Sequence, residues 1–235
     1  MHFNNLFKKD IKLIKEIHKY ELIKDPNLQF TSVTTFVDQF FKGFDAKKIA
    51  KKLISKYSKY SDYTVESLIE EWEETARYGT FVHEEIENWI RYNTYPKELK
   101  SINGINWLKN YKLKSEFKIL PEMIIYSKQL RIAGTIDVLA LDKKTNQYHL
   151  IDWKTSKKIE TSAFGGKVGI KPATNTIPDC NFYHYSLQLS LYRYLLEEYY
   201  GLSIKSQFIA HLKEDYARGI EVPYMKNEIL KMLGK

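Results

Sequence analysis

Hydrophobic and polar positions along the chain change period once, near residue 112. Before that point apolar residues recur at three- and four-residue spacing. This predicts helices over 8–20, 33–43, 45–59, 64–92 and 98–111, with Tyr78-Gly79 a point where the fourth could break. Thr64, ahead of Val65-Glu66-Ser67, is a helix cap by residue type. After that point the period falls to two: LKSEFKIL, EMIIYS, LRIAGTIDVLAL and QYHLIDWK read as strands of a mixed or antiparallel sheet. Residues 157–179, rich in Gly, Pro, Thr and Asn, read as a long loop. A helix from about Tyr183 to Tyr200 is stopped by Gly201. SQFIAHLK, residues 206–213, is a last strand, and Glu221–Leu233 holds a short terminal helix. No repeat and no Pro- or Gly/Ser-rich linker divides the chain. Residues 1–235 are therefore expected to form one α/β domain, mainly helical over 1–111, with a sheet core over 112–235.

Composition narrows the function. The chain has 235 residues, 43% of them hydrophobic and 14% aromatic, which suits a packed core and not a disordered segment. No apolar run reaches the roughly 18 residues a membrane span needs. The charged N-terminus does not read as a secretory signal, so an intracellular location is expected. The single cysteine, Cys180, excludes an internal disulfide framework and a four-cysteine iron–sulfur cluster. Lysine and arginine number 37 against 29 acids, a net +8, which favours a polyanionic partner such as nucleic acid. Residues 45–60 concentrate that charge: Ile49, Leu53 and Tyr57 form an apolar row, with Lys47, Lys48, Lys51, Lys52 and Lys56 opposite. A solvated face is the plain reading of those lysines, and a nucleic-acid contact the sharper one.

The chemistry concentrates between Ile132 and Lys154. In a strand, Asp152 and Lys154 share a face while Trp153 points the other way. A hairpin turning at Asp142–Gln147 would bring Asp137 within reach of Asp152. Neighbouring carboxylates repel unless protonated or bridged by a cation, and Mg²⁺ prefers oxygen ligands. A lysine beside them can position water or stabilise charge on a phosphate. Upstream, His83 and Glu87 lie one turn apart on a helix. Position 87 is Glu and not His, so the zinc-protease pattern fails. Downstream, Gln188 and Tyr192 are four apart on a helix, with His184 extending the stripe.

The ordered set Gly79-Thr80-x-x-His83, Gly134-x-x-Asp137, Ile151-Asp152-Trp153-Lys154-Thr155 and Gln188-x-x-x-Tyr192 resembles the PD-(D/E)XK nuclease superfamily, and within it the RecB-type exonuclease branch. Glu122, twelve residues before Gly134, and the Ser32-Val33-Thr34 segment make it similar to the mitochondrial genome maintenance exonucleases and their viral relatives. The resemblance implies a restriction-endonuclease-like fold: a central mixed β-sheet flanked by helices, with the N-terminal helical part over the active face. It implies His83, Asp137 and Asp152 as ligands of Mg²⁺ or Mn²⁺, joined by the Trp153 carbonyl. Lys154 would orient the attacking water, and Glu122 would stand behind the ligands or hold a second metal. Gln188 and Tyr192 would hold the substrate backbone and the Lys154 region, with Thr80 and Ser32 also at the nucleic acid, and Lys51 and Lys52 adding charge.

The implied activity is a metal-dependent exonuclease acting on single-stranded DNA or DNA ends in replication, recombination or repair, with proteins of those processes as further partners. An endonuclease of the same superfamily and a non-catalytic nucleic-acid-binding module are the alternatives. If helices carrying Gly79-Thr80 and His83 roof the site, it becomes a channel for a flexible strand. Phe40, Phe41, Phe44, Tyr183 and Tyr185 would then be candidate base-stacking residues.

Overall fold

The structure is a computed structural model that describes residues 10–112 and 114–235. The chain begins with a two-stranded antiparallel hairpin, β1 (Ile11–Ile14) and β2 (Lys19–Leu22), joined by a short 3₁₀ turn with His18 in the left-handed region at φ 47°. This replaces the helix expected over 8–20, whose residues 8 and 9 lie outside the described residues. Ile11, Ile14 and Ile17 fit a helical period, while Ile11 and Leu13, and Tyr20 and Leu22, fit a strand period. Packing decides between them: Ile11, Tyr20 and Leu22 are buried against Tyr126 and Ala133.

A short β3 (Thr31–Ser32) leads into α1 (Val33–Asp38), and Ser32 caps it by accepting the Thr35 N–H at 3.0 Å. Next comes α2 (Ala46–Lys56), capped by Asp45. The long α3 (Val65–Tyr92) starts at a Thr64–Ser67 capping box and ends at Asn93 in the left-handed region. It runs unbroken through Gly79. A Cβ there would stand 3.0 Å from Thr155 Oγ1, so this glycine marks a close approach and not a break. α4 (Leu99–Lys112) completes the helical part.

β4 (Phe117–Ser127) is one continuous strand where two were expected, and Leu113 of the first lies outside the described residues. β5 (Ile132–Asp142) and β6 (Gln147–Lys154) follow, then the long loop. α5 (Asn181–Tyr200) stops at Gly201 with φ 65°. β7 (Ile204–Leu212), β8 (Ala217–Glu221), which had no sequence expectation, and α6 (Lys226–Met232) end the fold.

The sheet runs β3-β5-β6-β7-β8, with β4 also on β5. It is mixed: β3 with β5 and β6 with β7 are parallel, and the other pairs antiparallel. Alternate strand residues feed two cores. Leu139, Leu141 and Leu150 pack with α1, α5 and α6, while Val138, Ala140, Ile151 and Trp153 pack with α3 and α4. The result is a central mixed sheet flanked by helices, the restriction-endonuclease-like architecture. Among the described residues no helix is long and apolar enough to cross a membrane.

One local feature positions the site. The β5–β6 pairing ends at Val138↔Ile151, although β6 continues to Lys154 beside β7. Beyond that point the vacated edge of β5 is taken by β3, at Ile132 and Ala133. β5 and β6 therefore part, and the gap between them opens at Asp137 and Asp152.

Candidate active site

Strand register brings the carboxylates together. In the β4–β5 pair, Pro121↔Val138 and Met123↔Ile136 set Glu122 opposite Asp137. One step beyond Val138↔Ile151, the same β5–β6 register sets Asp137 opposite Asp152. Glu122, Asp137 and Asp152 thus form a row across three strands, at the place where two of them separate. Both strands of the β4–β5 pair are distorted there. Glu122 is left-handed at φ 50°. Ile136 and Leu139, three residues apart, belong to the same core, so β5 turns over between them. Non-glycine residues in such conformations persist where surrounding structure enforces them. Here Arg91 of α3 donates to the Pro121 carbonyl at 3.0 Å and to Glu87 Oε1 at 2.7 Å.

The row is tied to its surroundings by short contacts. The Trp153 N–H donates to Asp137 Oδ2 at 2.8 Å, and His83 Nδ1 of α3 stands 3.5 Å from the same oxygen. Lys154 Nζ pairs with Asp152 Oδ2 at 2.6 Å and lies 4.6 Å from the centre of the Tyr185 ring. From α5, Gln188 Nε2 donates to Asp152 Oδ1 at 3.1 Å. Tyr192 is wedged below: a Cβ on Gly134 would stand 2.5 Å from Tyr192 Cε1 and 2.9 Å from Val33 Cγ2. Gly134 is required here by close approach, and its spacing from Asp137 follows from that.

Burial and mutual repulsion set the electrostatics. Burial, then Asp137 and Glu87, push the Glu122 carboxyl up to about 8, with Lys15 and Arg91 opposing. Burial raises Asp152 to about 6 although Lys154 pulls it down. Burial works against the Lys154 charge, but Asp152 and Asp137 outweigh it and hold its pKa above the ordinary value. At neutral pH Lys154 is therefore a cation and Glu122 carries a proton.

Both carboxyls bind protons in the folded state that the unfolded chain has released, so stability falls as pH rises. The Glu122 share is lost between its ordinary 4.5 and about 8. Thermal melting in chelator should show this fall, and Glu122→Gln should flatten its upper part. An equally steep fall in that variant would remove Glu122 as the cause.

A cleft of about 410 Å³ gathers these groups. Of the residues expected at the site, His83, Glu122, Asp137, Asp152, Lys154, Gln188, Tyr192, Thr80 and Ser32 line it. Lys51 and Lys52 do not; they are exposed on α2. Gln188 and Tyr192 are 9% and 4% exposed at the cleft, and Gln188 reaches Asp152. Ser32 is occupied as a helix cap. His184, one turn before Gln188 on α5, does not line the cleft: its Nε2 lies 3.0 Å from Asp179 Oδ1 and its ring 4.0 Å from that of Phe41 at a tilt of 36°. Phe40 and Phe41 are core, and Phe44 is exposed against Trp72.

Sequence reasoning missed the hairpin wall of Leu13, Lys15, His18 and Tyr20, and Thr135, and it gave Glu84 and Glu87 no role at the site. The alternation of Tyr20 with Leu22 was the available signal for the hairpin. The one-turn spacing of Glu87 from His83 set both on one face of α3, and both line the cleft.

Among the described residues no group of three His, Cys, Asp or Glu side chains is closed enough to hold a metal ion as the side chains lie. The donor chemistry nevertheless fits a hard divalent cation. The row offers carboxylate oxygens, Glu122 is strained by like charge, and buried Asp152 Oδ2 has no hydrogen bond among the described residues beyond its ion pair. His83, Asp137 and Asp152 would hold such an ion.

A row of carboxylates beside a buried lysine is the apparatus of a hydrolase that turns water on a charged ester. The comparisons agree with that class: the family model of the PD-(D/E)XK nuclease superfamily matches residues 12–217, and the chain belongs to this superfamily. Its members generally use divalent metal ions. A search of curated proteins finds no match. The solved structure of SSO0001 is similar at 13% identity over 87% of this chain and 73% of its own, with a TM-score of 0.38.

Proposed function

We propose that the protein is a Mg²⁺- or Mn²⁺-dependent exonuclease of the RecB-type branch. In this reading it hydrolyses single-stranded DNA or DNA ends during replication, recombination or repair. The observation that carries the nuclease reading is the row Glu122–Asp137–Asp152 with Lys154 paired to its end. A divalent cation, when bound, neutralises phosphate charge and makes water a nucleophile at neutral pH. The chain supplies the rest. Lys154, held charged by Asp152 and Asp137, stands where it can orient the attacking water and steady charge developing on the phosphate. Gln188 fixes Asp152 by its 3.1 Å bond, and Tyr192 against Gly134 fixes the helix that carries Gln188. His83 fixes Asp137 from the other side.

The strand preference has its own support. Lys15 at the hairpin tip and Glu84 on α3 approach to 3.5 Å, and both line the cleft. Hairpin and helix thus meet at the border of the cleft, and we read that border as favouring one flexible strand over a duplex. The experiment is a time course on a short strand labelled at either end, beside a closed single-stranded circle. Loss of label from an end, with the circle intact, is the expected result. Efficient cutting of the circle would favour an endonuclease, and no cutting with Mg²⁺ or Mn²⁺ would leave only a binding module.

Charge on α2 is expected to add affinity from outside the cleft. Lys51→Glu with Lys52→Glu should weaken single-strand binding by about tenfold at low salt and little at high salt. Equal binding at every salt concentration would leave those lysines a solvated face.

A further inference from the structure

The cleft holds an imbalance of charge that its floor does not resolve. Glu84, Glu87, Asp137 and Asp152 line it as carboxylates, with Glu122 protonated among them at neutral pH. Of its cations, Lys154 is committed to Asp152 at 2.6 Å. A phosphodiester approaching from solvent meets carboxylates first, and needs a cation on the opposite wall. That wall is the β1–β2 hairpin, which is fixed relative to the row. Tyr20 OH and Thr135 Oγ1 share a hydrogen bond of 3.0 Å, and Thr135 is two residues from Asp137 on β5. Beside the hairpin, Tyr126 OH donates to Asp10 Oδ2 at 2.9 Å. The tip brings Lys15 and His18 over the cleft. Lys15 is close enough to Glu122 to oppose the rise of its pKa.

We propose that the hairpin tip is a phosphate-binding clamp, with Lys15 as its charge and His18 as a second donor. It would grip the backbone of a nucleic-acid strand lying over the carboxylate row. Lys15 is free to change partners. Among the described residues it pairs with Glu84 at 3.5 Å, and the side chains are 70% and 48% exposed, so water screens the pair and breaking it costs little. A substrate phosphodiester carries one negative charge, as Glu84 does, so the Lys15 ammonium passes from the screened pair to the strand at little cost. This inference rests on the nuclease reading of the same cleft and adds the element that holds the substrate from above.

The test uses the full chain carrying Asp152→Asn, so that strands are bound and not consumed. Binding of a fluorescein-labelled oligothymidylate is followed by anisotropy in Mg²⁺ across a salt series. Adding Lys15→Gln should weaken binding about three- to tenfold and reduce the log–log salt slope by about 0.7, the loss of one phosphate contact on a single strand. Lys15→Arg should restore both. Lys109→Gln, on α4 over Trp89 and away from the cleft, should change neither. Lys15→Gln with unchanged affinity and slope would overturn the clamp. So would equal weakening by Lys15→Gln and Lys15→Arg, since that would report hairpin packing and not charge. Cleavage is measured separately on the Asp152 protein. If that protein cuts DNA while Lys15→Gln binds normally, the clamp alone fails; if it does not cut, the nuclease reading fails.

Discussion

Asp152→Asn is expected to lower DNA hydrolysis by about 10³-fold or more while the protein still melts cooperatively. The magnitude follows from the position of the carboxylate, which joins the row to Lys154 and to Gln188. Neutralising it removes charge that a cation needs and the partner that keeps Lys154 in place, and losses of this order follow when one preorganised electrostatic group is removed. The fold survives for a physical reason. Asparagine is nearly the same shape, its oxygen can still accept from Gln188, and Asp137 remains to support the Lys154 charge. Near-parental turnover in this variant, or full activity of the parent in excess chelator, would sink the mechanism. Circular dichroism on the same samples separates lost chemistry from lost structure.

Gly134→Ala is expected to destabilise the protein by about 1–3 kcal/mol, the usual cost of overpacking, and to lower its melting temperature by roughly 3–10 °C for a domain of this size. The added Cβ would meet Tyr192 Cε1 at 2.5 Å and Val33 Cγ2 at 2.9 Å. Neither neighbour can retreat easily, since both side chains lie in the core shared by α1 and α5. Activity should fall as well, because a displaced Tyr192 moves the helix turn that carries Gln188. The cause can be isolated by a double-mutant cycle. Tyr192→Leu removes the ring, so Gly134→Ala should cost less in that background, with a coupling of about 1 kcal/mol. Additive effects would mean that the ring is not what the glycine makes room for.

The sequence by itself determined the elements whose cause is local. The Thr64 cap, the end of α5 at Gly201, the alternation along β5 and β6 and the long loop before α5 could all be read from residue types a few positions apart. It also supplied the identities at the site, since Asp137, Asp152, Lys154, His83 and Gln188 stand at spacings that suit strand and helix faces. Tertiary structure decided everything that depends on which surface meets which. The chain from Ile11 to Leu22 satisfies both periods, and became a hairpin because Tyr126 and Ala133 cover one of its faces. Gly79 looked like a break, but α3 passes through it, and the missing side chain leaves room for Thr155. The alignment of Glu122 with Asp137 and Asp152 is a matter of register between strands. A slip of one residue would send every side chain to the other face, and nothing within a single strand records its partner's register. Periodicity tells which side of an element is buried. Only the packed molecule tells what lies against that side, and here that decides which carboxylates share a cleft and which lysine stands over them.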